Sequence, residues 1–252
     1  MSCGFALGCL NITRQLQDQD GRKVNGWGEF LGASLVFLGS HALPARPGIR
    51  IRLASVLGRR TYLAIYSAVS LALFAWIIVA AGRAPYVGLW FWVPEGLWLA
   101  NVLMTMALFL AVGGTAIANP FSLGGLAGKT YVPGHPGILA ATRHPVLWAL
   151  VLWSAAHLIA NGDLAHVLLF ASLGIFSVSG ILAMEQRSRK RAGAQWSQLS
   201  RCTSLVPFAA LLTGKARWTE LIQPRMALLP VVWGSIVLLH RPAVGVSPLP
   251  PL

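Results

Sequence analysis

Acidic residues are scarce in this chain of 252 residues, which has 7 Asp and Glu against 20 Lys and Arg and a formal net charge of +13. Charged residues make up only 11% of the sequence and hydrophobic residues 56%, whereas about one quarter of a soluble domain is charged. So few charges do not cover a water-facing surface. The composition therefore indicates an all-α integral membrane protein.

Cysteine is also scarce, and this excludes two kinds of small protein. Cys3, Cys9 and Cys202 are odd in number and widely spaced, so they form neither a disulfide framework nor a zinc motif. Nucleic-acid-binding proteins are basic as well. Here, however, the basic residues lie between apolar blocks, and no basic stripe interleaves with aromatic residues as single-strand binding requires. We expect a lipid bilayer as partner and no nucleic acid.

The first 25 residues differ from the rest of the chain. Cys3 to Leu10 is apolar but short, and no Lys or Arg precedes it, so the basic start of a secretory signal is missing. Asn11 to Asn25 is polar and carries both signs of charge, which is typical of a disordered segment. We expect residues 1–25 to be a disordered or mis-assigned extension and residues 26–252 to form one transmembrane domain.

Six apolar blocks follow, and a helix needs roughly 20 residues to cross the hydrocarbon core. They are Trp27–Leu43, Thr61–Ala81, Gly96–Ala118, Val146–Asn161, Leu164–Met184 and Met226–His240. The first, fourth and sixth are short, but each carries a tryptophan near a predicted membrane interface. The pattern predicts a polytopic bundle of about six transmembrane helices. Leu205–Leu212 is too short to cross and is predicted to be interfacial or re-entrant.

Basic residues concentrate in alternate loops, at Arg46–Arg60, Lys129–Arg143 and Arg187–Arg225. The other two connections carry Arg83 against Glu95, and Asp163 without a base. Loops rich in Lys and Arg stay in the cytoplasm. We therefore expect these three loops to be cytoplasmic and both termini to be periplasmic.

Polar groups inside a span are costly, so they mark candidate functional residues. His157 lies on the fourth span, with Trp153 and Asn161 on the same helical face. An imidazole there either hydrogen-bonds a neighbouring helix or ligates a metal or haem. His41 ends the first span, and at 1.5 Å per residue the two histidines differ in depth by about 9 Å. Two imidazoles at such depths can bridge one haem iron, and both interpretations stay open.

Arg143 and His144 lie directly before Pro145, where the fourth span begins. A proline in the first turn of a helix and an arginine that reaches lipid headgroups are ordinary structural features. The same pair also suits an anionic headgroup, a phosphate or a carboxylate, because a guanidinium binds such groups at two points. The residues alone leave both interpretations open.

Several motifs, in the right order, resemble those of the NnrU family. They are Gly39–Pro44, Asn119–Phe121, Thr142–Trp148, Leu152–Asp163, Thr203–Phe208 and Gly245–Pro250. The resemblance implies a six-span bacterial inner-membrane protein associated with denitrification and nitric oxide reduction. Its implied partner is nitric oxide reductase or related maturation machinery. The resemblance does not imply a particular reaction, so whether the protein is an enzyme stays open.

A plant relative of this family, zeta-carotene isomerase, is a haem b membrane protein. By motif its axial histidines match His41 and His157, so the resemblance implies a haem b site at these two residues. Trp153 and Asn161 would pack the macrocycle and tune its hydrogen bonding. The isomerase has a cysteine three residues before its second ligand, where this chain has Ser154, so a thiolate switch is not expected here.

A more distant resemblance connects the chain to isoprenylcysteine carboxyl methyltransferases. It runs through Arg143–Pro145 and then Glu185, Gly193, Trp196, Val206 and Pro207. It implies an S-adenosylmethionine site near the cytoplasmic interface. Three hypotheses for function therefore stand: a haem-binding protein of nitric oxide reduction, a haem-dependent isomerase and a membrane methyltransferase.

Overall fold

The computed structural model describes residues 26–41, 47–91, 93–122 and 130–249. Within these ranges the regular structure is helical, with one isolated antiparallel bridge between Gly88 and Asp163. The chain divides into two compact units, Met1–Trp90 with Asp163–Leu169, and Phe91–Gly162 with Phe170–Leu252. The predicted extension at 1–25, with Cys3 and Cys9, lies outside the described residues, as do Arg46 and Lys129.

The first unit contains helix α1 (residues 26–41), α2 (Pro47–Leu57) and α3 (Arg59–Arg83). Gly58 joins α2 to α3 at φ 78°, a conformation that glycine adopts without a Cβ clash. Helices α1 and α3 approach closely, since a Cβ on Gly26 would lie 2.6 Å from the carbonyl oxygen of Arg83. Beside this contact, Glu29 accepts hydrogen bonds from Trp76 and Arg83 at 3.2 and 3.1 Å.

The second unit contains α4 (Pro94–Gly114), α5 (Pro145–Ala160), most of α6 (Leu164–Ala192), α7 (Trp196–Ser200), α8 (Ala209–Leu212) and α9 (Leu229–Val244). Its core is apolar and includes Leu110, Phe121, Ile138 and Leu139. Glycine lets α4 meet the start of α5, because a Cβ on Gly114 would lie 2.6 Å from the Pro145 ring.

Within the described residues, each of the six predicted spans contains a helix. Four helical stretches are long and apolar enough to cross a membrane, namely Arg60–Arg83, Glu95–Gly114, Leu164–Ser200 and Pro224–Val244. Helix α5 is apolar but shorter, and the described part of α1 ends at His41. The prediction of an all-α polytopic membrane protein is confirmed. The count of about six is approximate, because the two shorter helices do not reach a full span within the described residues.

Several element boundaries differ from the predicted spans, and two of them show why. Helix α6 continues past Met184 to Ala192, because the charged residues after the apolar block are still good helix formers. Helix α4 ends at Gly114 rather than Ala118, where Ala116 has φ 56° and breaks the helix. The segment predicted to be interfacial contains the four-residue α8, entered from Phe208 at φ 63°, and its membrane position stays a prediction.

Candidate functional site

Three ionisable side chains of the second unit, Arg143, His144 and Glu185, form a buried cluster. Their residues are 7%, 0% and 5% exposed. Arg143 donates from Nε to Glu185 Oε2 at 3.1 Å and from Nη2 to Oε1 at 2.7 Å. His144 Nε2 lies 3.1 Å from the same Oε2. Arg143 and His144 therefore share the carboxylate of Glu185, and this pairing offsets the cost of burying charge.

An outer set of side chains holds the cluster in place. Arg143 donates from Nη1 to Thr203 Oγ1 at 3.3 Å, and its guanidinium lies 5.4 Å from the centroid of the Trp196 ring. Arg189 donates from Nε to Glu185 Oε1 at 3.2 Å and lies 5.2 Å from the same ring. Trp196 therefore carries two cation–π contacts, which orient both guanidinium groups around the carboxylate.

The chain reaches this geometry because two distant motifs pair along their backbones. The amide of Arg143 donates to the Ser204 carbonyl at 2.9 Å. The Thr142 hydroxyl and the Trp148 indole both donate to the Leu205 carbonyl, at 3.0 and 2.9 Å. The segment before α5 is thus bound to the segment after α7, with Pro145 starting the helix in the first turn.

Burial holds the pKa of His144 below its usual value, against the opposing hydrogen bond to Glu185, and this favours the neutral imidazole. Its Nε2–H then donates to the Glu185 carboxylate, since an ionised carboxylate only accepts. In this tautomer Nδ1 is an acceptor, and it has no hydrogen-bond partner among the described residues.

The structure therefore brings the two predicted anion-contact residues to a carboxylate of the chain. Arg143 uses its two-point geometry on Glu185, and His144 contacts the same group. Whether either side chain also meets a lipid headgroup or a cofactor stays a prediction.

His157 has a defined tautomer near the end of α5. Its Nδ1 lies 2.8 Å from the Trp153 carbonyl oxygen, which only accepts, so Nδ1 carries the proton and Nε2 carries the lone pair. The ring centroid lies 4.8 Å from that of Trp153 and 4.6 Å from that of Phe170. Asn161 donates from its amide side chain to the His157 carbonyl at 2.8 Å, so it binds the end of the helix backbone.

His41 has the same local geometry at the end of α1 in the first unit. Its Nδ1 lies 2.8 Å from the Phe37 carbonyl oxygen and 3.2 Å from Ser40 Oγ. The ring centroid lies 4.4 Å from that of Phe37 and 5.8 Å from that of Tyr66. Again Nδ1 carries the proton and Nε2 the lone pair.

Composition and helical spacing did not identify Glu185 as a candidate site residue. It was named only as part of the resemblance to the methyltransferases. The signal available was a lone acid at the start of a basic run, directly after an apolar span. The sequence around Glu185 does not reveal its partner, because Arg143 lies far away in the sequence, directly before α5. No group of three or more His, Cys, Asp or Glu that could hold a metal ion occurs within the described residues, whereas a haem needs only one or two protein ligands.

Comparison with known proteins places the chain in a family. The sequence profile described as NnrU protein matches residues 29–248. The chain is 27% identical over 199 residues to the chloroplastic 15-cis-zeta-carotene isomerase of Zea mays, covering 77% of this chain and 53% of that protein. It is 27% identical over 172 residues to the Arabidopsis thaliana protein of the same name, covering 64% and 44%.

The chain thus spans about half the length of these curated relatives. No solved structure matches it. Because the family profile covers most of the sequence, this chain belongs to the NnrU protein family.

Proposed function

We propose that this protein is a haem b protein of the bacterial inner membrane that works in nitric oxide reduction, and that His41 and His157 would hold the haem iron. One observation carries the proposal. In both histidines Nδ1 donates to the carbonyl oxygen four residues earlier, at 2.8 Å. This bond selects the tautomer whose Nε2 has a lone pair. In metalloproteins, a hydrogen bond from the ring nitrogen that does not bind the metal orients the ligand histidine in the same way.

The neighbours of the two imidazoles support the same assignment. An aromatic ring lies one turn earlier in each helix, Phe37 before His41 and Trp153 before His157. Flat apolar side chains suit the low-dielectric surroundings of a macrocycle. Asn161 supports the site indirectly, because its side chain holds the His157 carbonyl and steadies the end of α5.

A bound haem supplies an iron that binds nitric oxide or exchanges an electron. The residues of the chain have separate tasks. The carbonyls of Phe37 and Trp153 hold the two imidazole protons at Nδ1. The ring of Phe170, 4.6 Å from that of His157, excludes water from one side of this imidazole.

A second candidate function, haem-dependent cis–trans isomerisation, is favoured by the similarity to the two plant 15-cis-zeta-carotene isomerases. Both candidates use the same two histidines and differ in substrate. The methyltransferase hypothesis stays a prediction; Arg143 and Glu185, which both carry that resemblance, contact each other within the chain.

The first experiment measures haem content. The full chain is expressed with a haem precursor, purified in detergent and examined by absorption and pyridine haemochrome spectra. We expect haem b in the wild type and its loss or a spectral shift in His41→Ala and His157→Ala. His240→Ala is the matched control, since its Nδ1 also lies 2.8 Å from a carbonyl oxygen, that of Val246. His166→Ala is a second control.

The results separate the ligand assignment from a structural role for the histidines. Unchanged spectra in both controls, at equal membrane levels, support the assignment. A wild type without haem, or unchanged spectra in both ligand variants, would leave the histidines as contacts between helices. With haem established, nitric oxide consumption by membranes is compared with isomerisation of a cis-polyene, and the activity that His157→Ala abolishes identifies the reaction.

A further inference from the structure

Ser154 on α5 is a buried hydroxyl without a hydrogen-bond partner among the described residues. The residue is 1% exposed, and Oγ accepts and donates nothing there. Serines inside helices commonly donate to the carbonyl one turn earlier. The same bond forms at five other described serines, which donate to the carbonyl four residues back at 2.7 or 2.8 Å, namely Ser34, Ser177, Ser179, Ser200 and Ser235. The Ser154 hydroxyl is therefore unusual in leaving its bond unmade.

Ser154 is one of the residues that line a groove of about 390 Å³ between α5 and α6. That volume falls within the range of small-molecule sites. No charged side chain lines the groove in the part of the chain that the structure describes. Gly174 lets α6 approach the serine closely, because a Cβ there would lie 3.3 Å from Ser154 Cβ. Ile175 also lines the groove and is 68% exposed, so the groove has an open side.

The residues that line the groove determine which kind of ligand it can bind. An ionised ligand would lose its hydration without compensation in a groove that offers no charge. One hydroxyl suits a single oxygen acceptor. Phe170 forms part of the wall and is itself held edge-on by Trp153, with ring centroids 5.1 Å apart. An aromatic wall favours a planar ring over a flexible acyl chain.

We propose that this groove binds the ring of a lipid-soluble quinone, with a quinone carbonyl oxygen accepting a hydrogen bond from the Ser154 hydroxyl. The acceptor would complete the one hydrogen bond that the buried serine lacks. A quinone dissolves in the bilayer, which four helical stretches of the described residues, α6 among them, are long enough to cross. The site goes beyond the haem proposal and does not depend on it.

The test uses the full chain in nanodiscs and a photoreactive azidoquinone as the probe, with unlabelled ubiquinone-1 as competitor. We expect saturable labelling that maps to peptides of Pro145–Ala160 and Leu164–Ala192. Ser154→Ala removes only the hydroxyl and should weaken ubiquinone-1 competition roughly fivefold. Ser177→Ala is the matched control, because its hydroxyl already donates to the Leu173 carbonyl and does not line the groove. Its competition curve should match the wild type.

A second variant and a second competitor make the result independent of one substitution. Gly174→Val fills the groove next to Ser154 and should abolish specific labelling at an unchanged membrane level. Labelling elsewhere in the chain, or wild-type competition in Ser154→Ala, would overturn the proposal. Equal competition by squalene, a hydrocarbon without oxygen, would also overturn it and identify a general apolar groove. If His41→Ala has lost its haem but is still labelled by the azidoquinone, the quinone site is independent of the haem site.

Discussion

Arg143 and Glu185 make a two-point contact, in which Nη2 and Oε1 lie 2.7 Å apart and Nε and Oε2 lie 3.1 Å apart. The two residues stand at different places in the chain, one before α5 and one inside α6. Their contact binds the start of one apolar helix to the charged part of another. A buried charge pair of this kind is costly to break from one side, because the remaining charge loses its closest partner.

Arg143→Met should therefore lower the free energy of unfolding in detergent by about 3 to 5 kcal/mol, since it leaves the Glu185 carboxylate buried without its main partner. Arg189→Met is the control. The Arg189 side chain is 58% exposed, so this loss should be below about 1 kcal/mol. Equal effects of the two substitutions on thermal unfolding would show that the buried pair does not stabilise the fold.

Arg143→Lys tests geometry rather than charge. Lysine keeps the positive charge but not the planar fork that meets both carboxylate oxygens. We expect normal insertion into the membrane and a reduced unfolding temperature, measured on protein purified at equal yield. Failure of the variant to insert would instead assign Arg143 a role in membrane insertion.

The stability of the fold should fall at mildly acidic pH through His144. The pKa of His144 is lowered in the folded protein, so the unfolded chain takes up its proton first as the pH falls. The contribution is complete above the ordinary pKa of 6.5 and is lost as the pH falls below that value. The unfolding temperatures of wild type and His144→Gln should therefore converge as the pH is lowered from 8 to 5. Parallel curves would exclude this histidine as the cause.

Gly114→Ala should destabilise the second unit even though alanine is the better helix former. A Cβ there would lie 2.6 Å from Cγ of Pro145, whose ring cannot rotate away, and overpacking of this kind costs about 1 to 3 kcal/mol. Gly234→Ala on α9 meets nothing within 4 Å and should be neutral or stabilising. Similar thermal unfolding of the two variants would contradict the close approach of α4 and α5.

The orientation in the membrane is tested with reporter fusions after Leu53, Tyr86, Lys129, Asp163 and Arg201. The basic loops predict that successive fusions alternate between the cytoplasm and the periplasm, beginning in the cytoplasm. Both termini should then be periplasmic. Two adjacent fusions that report the same side would remove one span from the bundle.

The membrane class and the positions of the helices follow from local properties of the chain. An apolar block of sufficient length must close its own backbone hydrogen bonds in lipid, so the long apolar helices of the described residues overlap the blocks that the hydropathy predicts. Pro145 likewise marks the start of α5 because its ring suits the first turn. The family could also be recognised from short motifs in order, and the profile match at residues 29–248 confirms it.

The partners of the polar side chains depend on contacts between segments far apart in sequence. Asn161 shares a helical face with His157, yet it caps the backbone of α5. Arg143 is predicted to lie at a membrane edge, and it binds Glu185 on α6. Ser154 packs closely against Gly174 of α6, where a Cβ would lie 3.3 Å from Ser154 Cβ, and its local sequence does not show this contact. Helical periodicity specifies the face of a residue, whereas packing against another segment determines which groups it meets and which hydroxyl is left without a partner.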